Sequence, residues 1–393
     1  MLWCNCSTFY RILICSLNPS TALKHDYLLT RGVCATFPAW GTTLVPRVSK
    51  TIANSFVSTW LAYIVIMPAG QVVQPSLTEE AFVLQALRTA ALRYDGRRVR
   101  EARPIQIRFG EPYGWCEVQL GDTVAVASVS ASIMPPREQR PYEGMMQIVT
   151  DISPMAGVEY DAGGIAGGDA RERETLFDRL VERAVRRTEA VDREALCIIA
   201  GKSVWCITVT VHLLADQGAA LDAAVLACIL ALRHYRRPDV SVEDGKVTVY
   251  STEERVPVPL SFHHTPLCVT YAVFVVQPET VEQRHLLTAQ TREASRAEGE
   301  LADDDDDDIV VANVPVALLD PSLLEQTLAH SAVTFVVNAQ REVCVIDKAG
   351  GESLPCEMLL GLLQDAALRA NELSSLLENA LANDAQTRII SVQ

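Results

Sequence analysis

The chain has 393 residues, with 34 Lys and Arg against 49 Asp and Glu, a net charge of −15 and 49% apolar residues. That apolar fraction excludes disorder throughout, and at roughly 100 to 200 residues per domain the length allows two or three domains with a substantial core. The acidic balance excludes a polybasic protein that holds nucleic acid by bulk charge, while leaving room for a local basic patch.

Residues 1–66 differ from the remainder. They hold Cys4, Cys6, Cys15 and Cys34, and Trp3, Trp40 and Trp60, with Asp26 as their one acid against Arg11, Lys24, Arg31, Arg47 and Lys50. This composition reads as a leader ahead of a start at Met67. Ile52 to Met67 is apolar but broken by Asn54, Ser55, Ser58 and Thr59, and it is shorter than the roughly 20 residues of a spanning helix, so no membrane anchor is expected. A secretory cleavage site is not evident either. Cys116, Cys197, Cys206, Cys228, Cys268, Cys344 and Cys356 are scattered singly through apolar segments, as buried thiols of a reducing compartment are. There is no CxxC pair, and adjacent His263 and His264 would point to opposite faces of a strand; neither a metal nor another cofactor is expected.

From residue 77 the elements become legible. Leu77 to Ala91 predicts a helix with Thr78 as its cap and Phe82, Leu84, Ala86 and Leu87 as apolar positions, ending near the turn Tyr94-Asp95-Gly96. Period-two alternation through Ile105, Ile107 and Phe109, then Cys116, Val118 and Leu120, then Val124 and Val126, predicts hairpin-linked strands with turns at Gly114 and Gly121-Asp122. A Pro-rich basic loop, Met134 to Pro141, precedes a strand from about Met145 to Ile152. Gly163 to Gly168 lacks both the GxGxxG and the Gly-Lys-Ser/Thr pattern, so it reads as a loop and not as a phosphate cradle. Asp169 to Thr188 predicts a charged helix with an apolar stripe of Leu176, Leu180, Ala184 and Val191, and with Arg179, Arg183, Arg186 and Arg187 along one side. Those arginines are either a solvated face or a surface for an RNA backbone; periodicity does not choose. Trp205 to Leu213 is a strongly alternating strand, with His212 on its polar side as a structural residue. A helix carrying Leu221, Val225, Cys228 and Leu232 follows it.

Several ordered stretches resemble the RNase PH family and, within it, the ring subunits of the eukaryotic RNA exosome. They are Leu92-Arg93-Tyr94-Asp95-Gly96-Arg97-Arg98, Phe109-Gly110 to Tyr113-Gly114, Ala200-Gly201-Lys202-Ser203-Val204-Trp205, Leu221-Asp222-Ala223-Ala224, Arg236 to Val242, and Glu253 to Ser261 with His263-His264. The resemblance covers about 77–276 and 309–383. It implies an α+β fold of the ribosomal protein S5 domain 2-like type built of two βαβ-rich halves, about 77–237 and 238–383, within a domain at 67–383 followed by a tail at 384–393. It also implies partners: five other RNase PH-like ring subunits, among them ribosomal RNA-processing protein 41 as neighbour, S1/KH cap subunits, associated hydrolytic nucleases, and RNA trimmed from its 3′ end in nucleus, nucleolus and cytoplasm.

Active members of the family use inorganic phosphate to attack the terminal phosphodiester, which requires donors and positive charge around two anions. They carry an acidic, small, Gly, Ser/Thr, Arg loop after the long strand. The matching positions here are Gln217, Gly218, Ala219, Ala220 and Leu221, so the acid, the hydroxyl and the arginine are all missing. Their two carboxylates six residues apart fall on Glu254 and Leu260. The expectation is a subunit without catalytic residues of its own; the alternative is an active phosphate-dependent 3′ exoribonuclease using Asp216 or Asp222. The family's channel-facing loop and inner-wall helix fall on Arg140, Arg137, Arg179 and Arg183, expected in that order as RNA contacts. The chain departs from the family at Gln277 to Asp308, a polar insertion ending in Asp303 to Asp308 and expected to be a solvated surface loop. Strands at Val314 to Leu318, Val333 to Asn338 and Val343 to Asp347 follow. An amphipathic helix from about Met358 to Ala382 closes the domain.

Overall fold

A computed structural model describes residues 75–391 apart from 91, 158–159, 161–166, 244–245, 252–253, 277–313 and 352. The leader, the acidic insertion and most of the glycine run therefore lie outside the described residues. The first helix, α1 (Leu77–Ala90), is opened by Ser76 and not by Thr78. Ser76 has an acid three residues on, so its N–H donates to Glu79 Oε2 (2.7 Å) while Glu79 N–H donates back to Ser76 Oγ (3.3 Å); Thr78 has Ala81 at that spacing.

The alternating segments form β1 (Ile105–Phe109), β2 (Trp115–Leu120) and β3 (Thr123–Met134) as consecutive antiparallel hairpins. Beside β3 lies β6 (Ser203–Ala215), and beside β6 runs β4 (Met145–Ile152), parallel to it. A parallel pair needs a crossover, supplied by α2 (Gly167–Val185) with a short turn and β5 (Cys197–Ile199). The core stripe of α2 is Val181, Ala184 and Val185, with Phe177 partly buried behind them, whereas Leu176 is 51% exposed. Of the expected stripe, Ala184 and Val191 are buried in that core and Leu180 is half-buried, so Leu176 alone of the four faces solvent.

The helix α3 (Ala220–His234) is buried at every position from Ala223 to Leu232. It lies against β2, β3 and β6 on one side and the strand Leu267–Val276 on another, and so has no polar face to keep. Short strands β7 (Arg236–Arg237) and β10 (Val258–Pro259) pair with each other, as do β8 (Val240–Glu243) and β9 (Lys246–Val249).

The second sheet is antiparallel throughout, in the order β12 (Val314–Leu319), β11 (Leu267–Val276), β13 (Ser331–Val337), β14 (Val343–Ala349). Its central strand is apolar on both faces because both are covered. Ala272, Phe274 and Val276 meet Val83 and Leu87 of α1, while Leu267, Val269, Tyr271 and Val273 join the main core with α3 and the last helix. Between β12 and β13 a short helix, α4 (Leu323–Leu328), is started by the reciprocal pair Ser322 and Glu325.

That Glu325 carboxylate also receives buried Arg93 (Nε to Oε1 2.8 Å), whose guanidinium donates further to the carbonyls of Leu319 and Asp320 at 2.7 and 2.9 Å. The segment before β1 is thereby fixed to the turn after β12.

The last helix, α5 (Cys356–Ser391), buries Leu362, Ala366, Ala370, Leu373 and Leu377, and runs past the expected end at Ala382 through most of the expected tail. The added turns hold because they reach a distant loop. Arg388 donates to the carbonyls of Gly110 and Glu111 and lies 4.7 Å over the Tyr113 ring. His234 sits beneath, its Nδ1 accepting from Gly114 N–H (3.1 Å), and burial lowers its pKa.

Candidate functional site

The loop joining β6 to α3 and the first turn of that helix carry Gln217, Ala220 and Leu221, the positions expected from the sequence to lack catalytic groups. Gly218 has φ +94°, and a Cβ there would meet the Pro321 carbonyl oxygen at 2.3 Å, so only glycine fits. Ala219 caps α3 from the left-handed region, φ 51°, without a side-chain hydrogen bond. The loop N–H groups are engaged inside the chain. Gln217 donates to Thr123 Oγ1 (3.2 Å), Gly218 to Asp216 Oδ1 (2.9 Å) and Ala219 to Gln326 Oε1 (3.4 Å). The carbonyls are engaged as well: Arg103 reaches Gln217 O at 3.0 Å and Gly218 O at 2.9 Å, and Leu323 N–H also donates to Gln217 O.

Arg103 is the guanidinium nearest to the loop by these contacts, and it is paired. Its Nη2 lies 2.6 Å from Asp320 Oδ1, and Asp320 also takes Arg97 at 3.2 Å. Burial alone would lower the Arg103 pKa, but the Asp320 carboxylate more than offsets it and holds the guanidinium above its usual value. Ala220 and Leu221 pack partly buried against the main core. Gln217 is exposed and brings no charge.

The acids divide between surface and interior. Glu254 is exposed, its carboxylate accepting from Ser251 N–H (3.3 Å), while Leu260, six residues on, is buried in the main core. Asp216 is buried and accepts from Tyr160 OH (2.6 Å) as well as Gly218 N–H. Asp222, in the first turn of α3, accepts from Thr270 N–H (2.9 Å) and Thr270 Oγ1–H (2.7 Å); burial pushes its pKa up to about 6 against these hydrogen bonds. Among the described residues no group of His, Cys, Asp and Glu could hold a metal ion.

The expected RNA contacts lie in two places. Arg137 and Arg140 share one turn after β3, Arg140 N–H donating to Arg137 O (3.0 Å), and both side chains are exposed. Arg140 also pairs with Glu143 at 3.0 Å, which Arg193 approaches at 3.4 Å. Arg179 is exposed on α2. Arg183 is bound to Asp347 of β14 at 2.9 Å, so it ties the helix to the second sheet. Sequence reasoning missed this pair and the Arg103–Asp320 pair, because both join residues more than 160 positions apart.

Models of the 3′ exoribonuclease family match this chain twice, domain 1 at residues 101–238 and domain 2 at 310–367. Exosome complex component rrp45 of Schizosaccharomyces pombe is 34% identical over 311 residues, covering 79% of this chain and 92% of that protein. The chain belongs to the RNase PH family. Exosome complex component RRP45 of Saccharomyces cerevisiae is 33% identical over 316 residues, 80% of this chain and 94% of its own length. The RNase PH fold also superposes on a chain of the Archaeoglobus fulgidus exosome with RNA bound to the active site, with a TM-score of 0.56 and 24% identity, covering 76% of this chain and 97% of that one.

Proposed function

We propose that this RNase PH-family chain is a non-catalytic ring subunit of the RNA exosome, serving as structure and RNA path for 3′-to-5′ processing and degradation, including rRNA maturation. The observation that carries the loss of catalysis is the loop at 216–221. An attacking phosphate needs unengaged donors and positive charge; here the N–H groups of Gln217, Gly218 and Ala219 are internally bonded, Arg103 is neutralised by Asp320, and Ala220 and Leu221 are apolar. Neither carboxylate of the alternative reading is available, since Asp216 and Asp222 are both buried or engaged in holding backbone in place.

The partners are the other RNase PH-like ring subunits, ribosomal RNA-processing protein 41 in particular, with S1/KH cap subunits and associated hydrolytic nucleases, in nucleus, nucleolus and cytoplasm. The two halves, about 77–237 and 238–383, act as one domain. RNA passes along Arg140 and Arg137 first, then Arg179 and Arg183, through phosphate contacts without sequence preference. Nucleoside diphosphate release from RNA and inorganic phosphate, measured for the purified chain alone and with its ring neighbour, tests the reading. No release by the chain alone is expected. Release that disappears in Glu254→Ala would refute it.

A further inference from the structure

The strand β14 ends the second sheet, so every second N–H and C=O along its outer side faces away from β13. No backbone hydrogen bond reaches that side from elsewhere among the described residues. Natural sheets usually protect such an edge with charge, proline or a covering element. Here Val343 and Ile346 are 41% and 47% exposed on it, and a groove of about 550 Å³ runs alongside. Its other wall is the end of α2 and the turn after it, with Arg183, Arg187 and Thr188, together with His264.

Two polar groups of that wall have no partner among the described residues. Arg187 is exposed and no carboxylate lies within ion-pair distance of it, unlike Arg183, which Asp347 neutralises. The Nε2 of His264 is buried without a hydrogen bond. The acid at the groove mouth, Glu342, is already held by Asn338 Nδ2 at 2.8 Å.

We propose that the outer edge of β14 and this groove take an extended, acidic peptide of a partner protein, added as a fifth strand to the sheet. Main-chain hydrogen bonds to the free edge would supply affinity. Apolar side chains would pack on Val343 and Ile346, and a carboxylate would reach Arg187 and His264. Single-stranded RNA fits less well, because it needs stacking faces beside the phosphate contacts, and His264 is the one ring that lines the groove.

The test uses the full chain with two labelled probes, a capped octapeptide alternating Val and Asp and an oligouridylate of equal charge, read by anisotropy and by amide hydrogen exchange. Expected is peptide binding with new protection of residues 343–349, weakened about threefold by Arg187→Ala, as an exposed ion pair allows, and about tenfold or more by Ile346→Lys, which blocks the edge. Both positions are exposed, so unchanged circular dichroism is expected alongside. Absence of peptide binding up to about 1 mM, a free energy of roughly −4 kcal/mol, would overturn the proposal. So would binding indifferent to both substitutions, or protection of β14 by the oligouridylate and not by the peptide. Neither substituted residue belongs to the four arginines of the RNA path, so failure of that reading is told apart from failure of this one.

Discussion

Arg93 and Arg140 stand at opposite ends of what a guanidinium can do in this fold. The Arg93 side chain is 0% exposed and matched to an equally buried Glu325, while the Arg140 side chain is 59% exposed and leans on Glu143 across solvent. Arg97 and Arg103 side with Arg93, closing on buried Asp320. Arg137 and Arg179 side with Arg140. A buried pair is held because removing one partner strands the other in a low-dielectric interior, whereas an exposed pair is screened and contributes little. The first group therefore fixes architecture. The second remains available to an anion from outside.

The difference can be pressed from its strongest member downward. Arg93→Ala leaves Glu325 as an uncompensated buried charge and is expected to cost about 3 to 5 kcal/mol in urea unfolding; a loss below 1 kcal/mol would place Arg93 with the surface set. Asp222 comes next. Its folded pKa of about 6 is raised above the unfolded 3.8, so its stabilising protonated form is complete below about pH 4 and lost as pH rises to about 6. Roughly 3 kcal/mol is expected to disappear across that window. Asp222→Asn keeps an acceptor for Thr270 and should flatten the dependence, which thermal melts at pH 4, 5, 6 and 7 will read. Arg388→Ala releases the end of α5 from Gly110 and Glu111, with an expected loss of about 1 to 2 kcal/mol and faster amide exchange confined to the last turns of α5 and the β1–β2 connection. Smallest in stability are Arg137→Ala and Arg140→Ala, within about 0.5 kcal/mol of the parent. Together they should weaken RNA retention by the assembled ring several-fold, and unchanged retention would remove them from the RNA path.

Much of the fold was readable along the chain wherever periodicity was unambiguous. The hairpins from Ile105 to Met134 follow alternation of one residue in and one out, which a strand enforces geometrically. The errors fall where two local patterns compete or where a distant contact decides. Leu176 is as apolar and as well spaced as Phe177, yet it is exposed while Phe177 is half-buried, because α2 turns Val181, Ala184 and Val185 into the core. The turns of α5 after Ala382 are held by Arg388, which donates to Asp384 within the helix and to the carbonyls of Gly110 and Glu111 before β2. The start of α4 is legible in Ser322-x-x-Glu325, the spacing of a capping box.

The candidate site shows the same division. The identities at Gln217, Ala220, Leu221, Glu254 and Leu260 are sequence facts. The engagement of the Gln217 and Ala219 N–H groups by Thr123 and Gln326, and the pairing of Arg103 with Asp320 beside the loop, depend on segments distant from it on both sides along the chain. By itself the sequence determined the α+β class and the family, because side-chain chemistry and short-range periodicity are local properties. Only the tertiary structure decided which arginines are buried in ion pairs and which face solvent, because burial is set by what another part of the chain brings into contact.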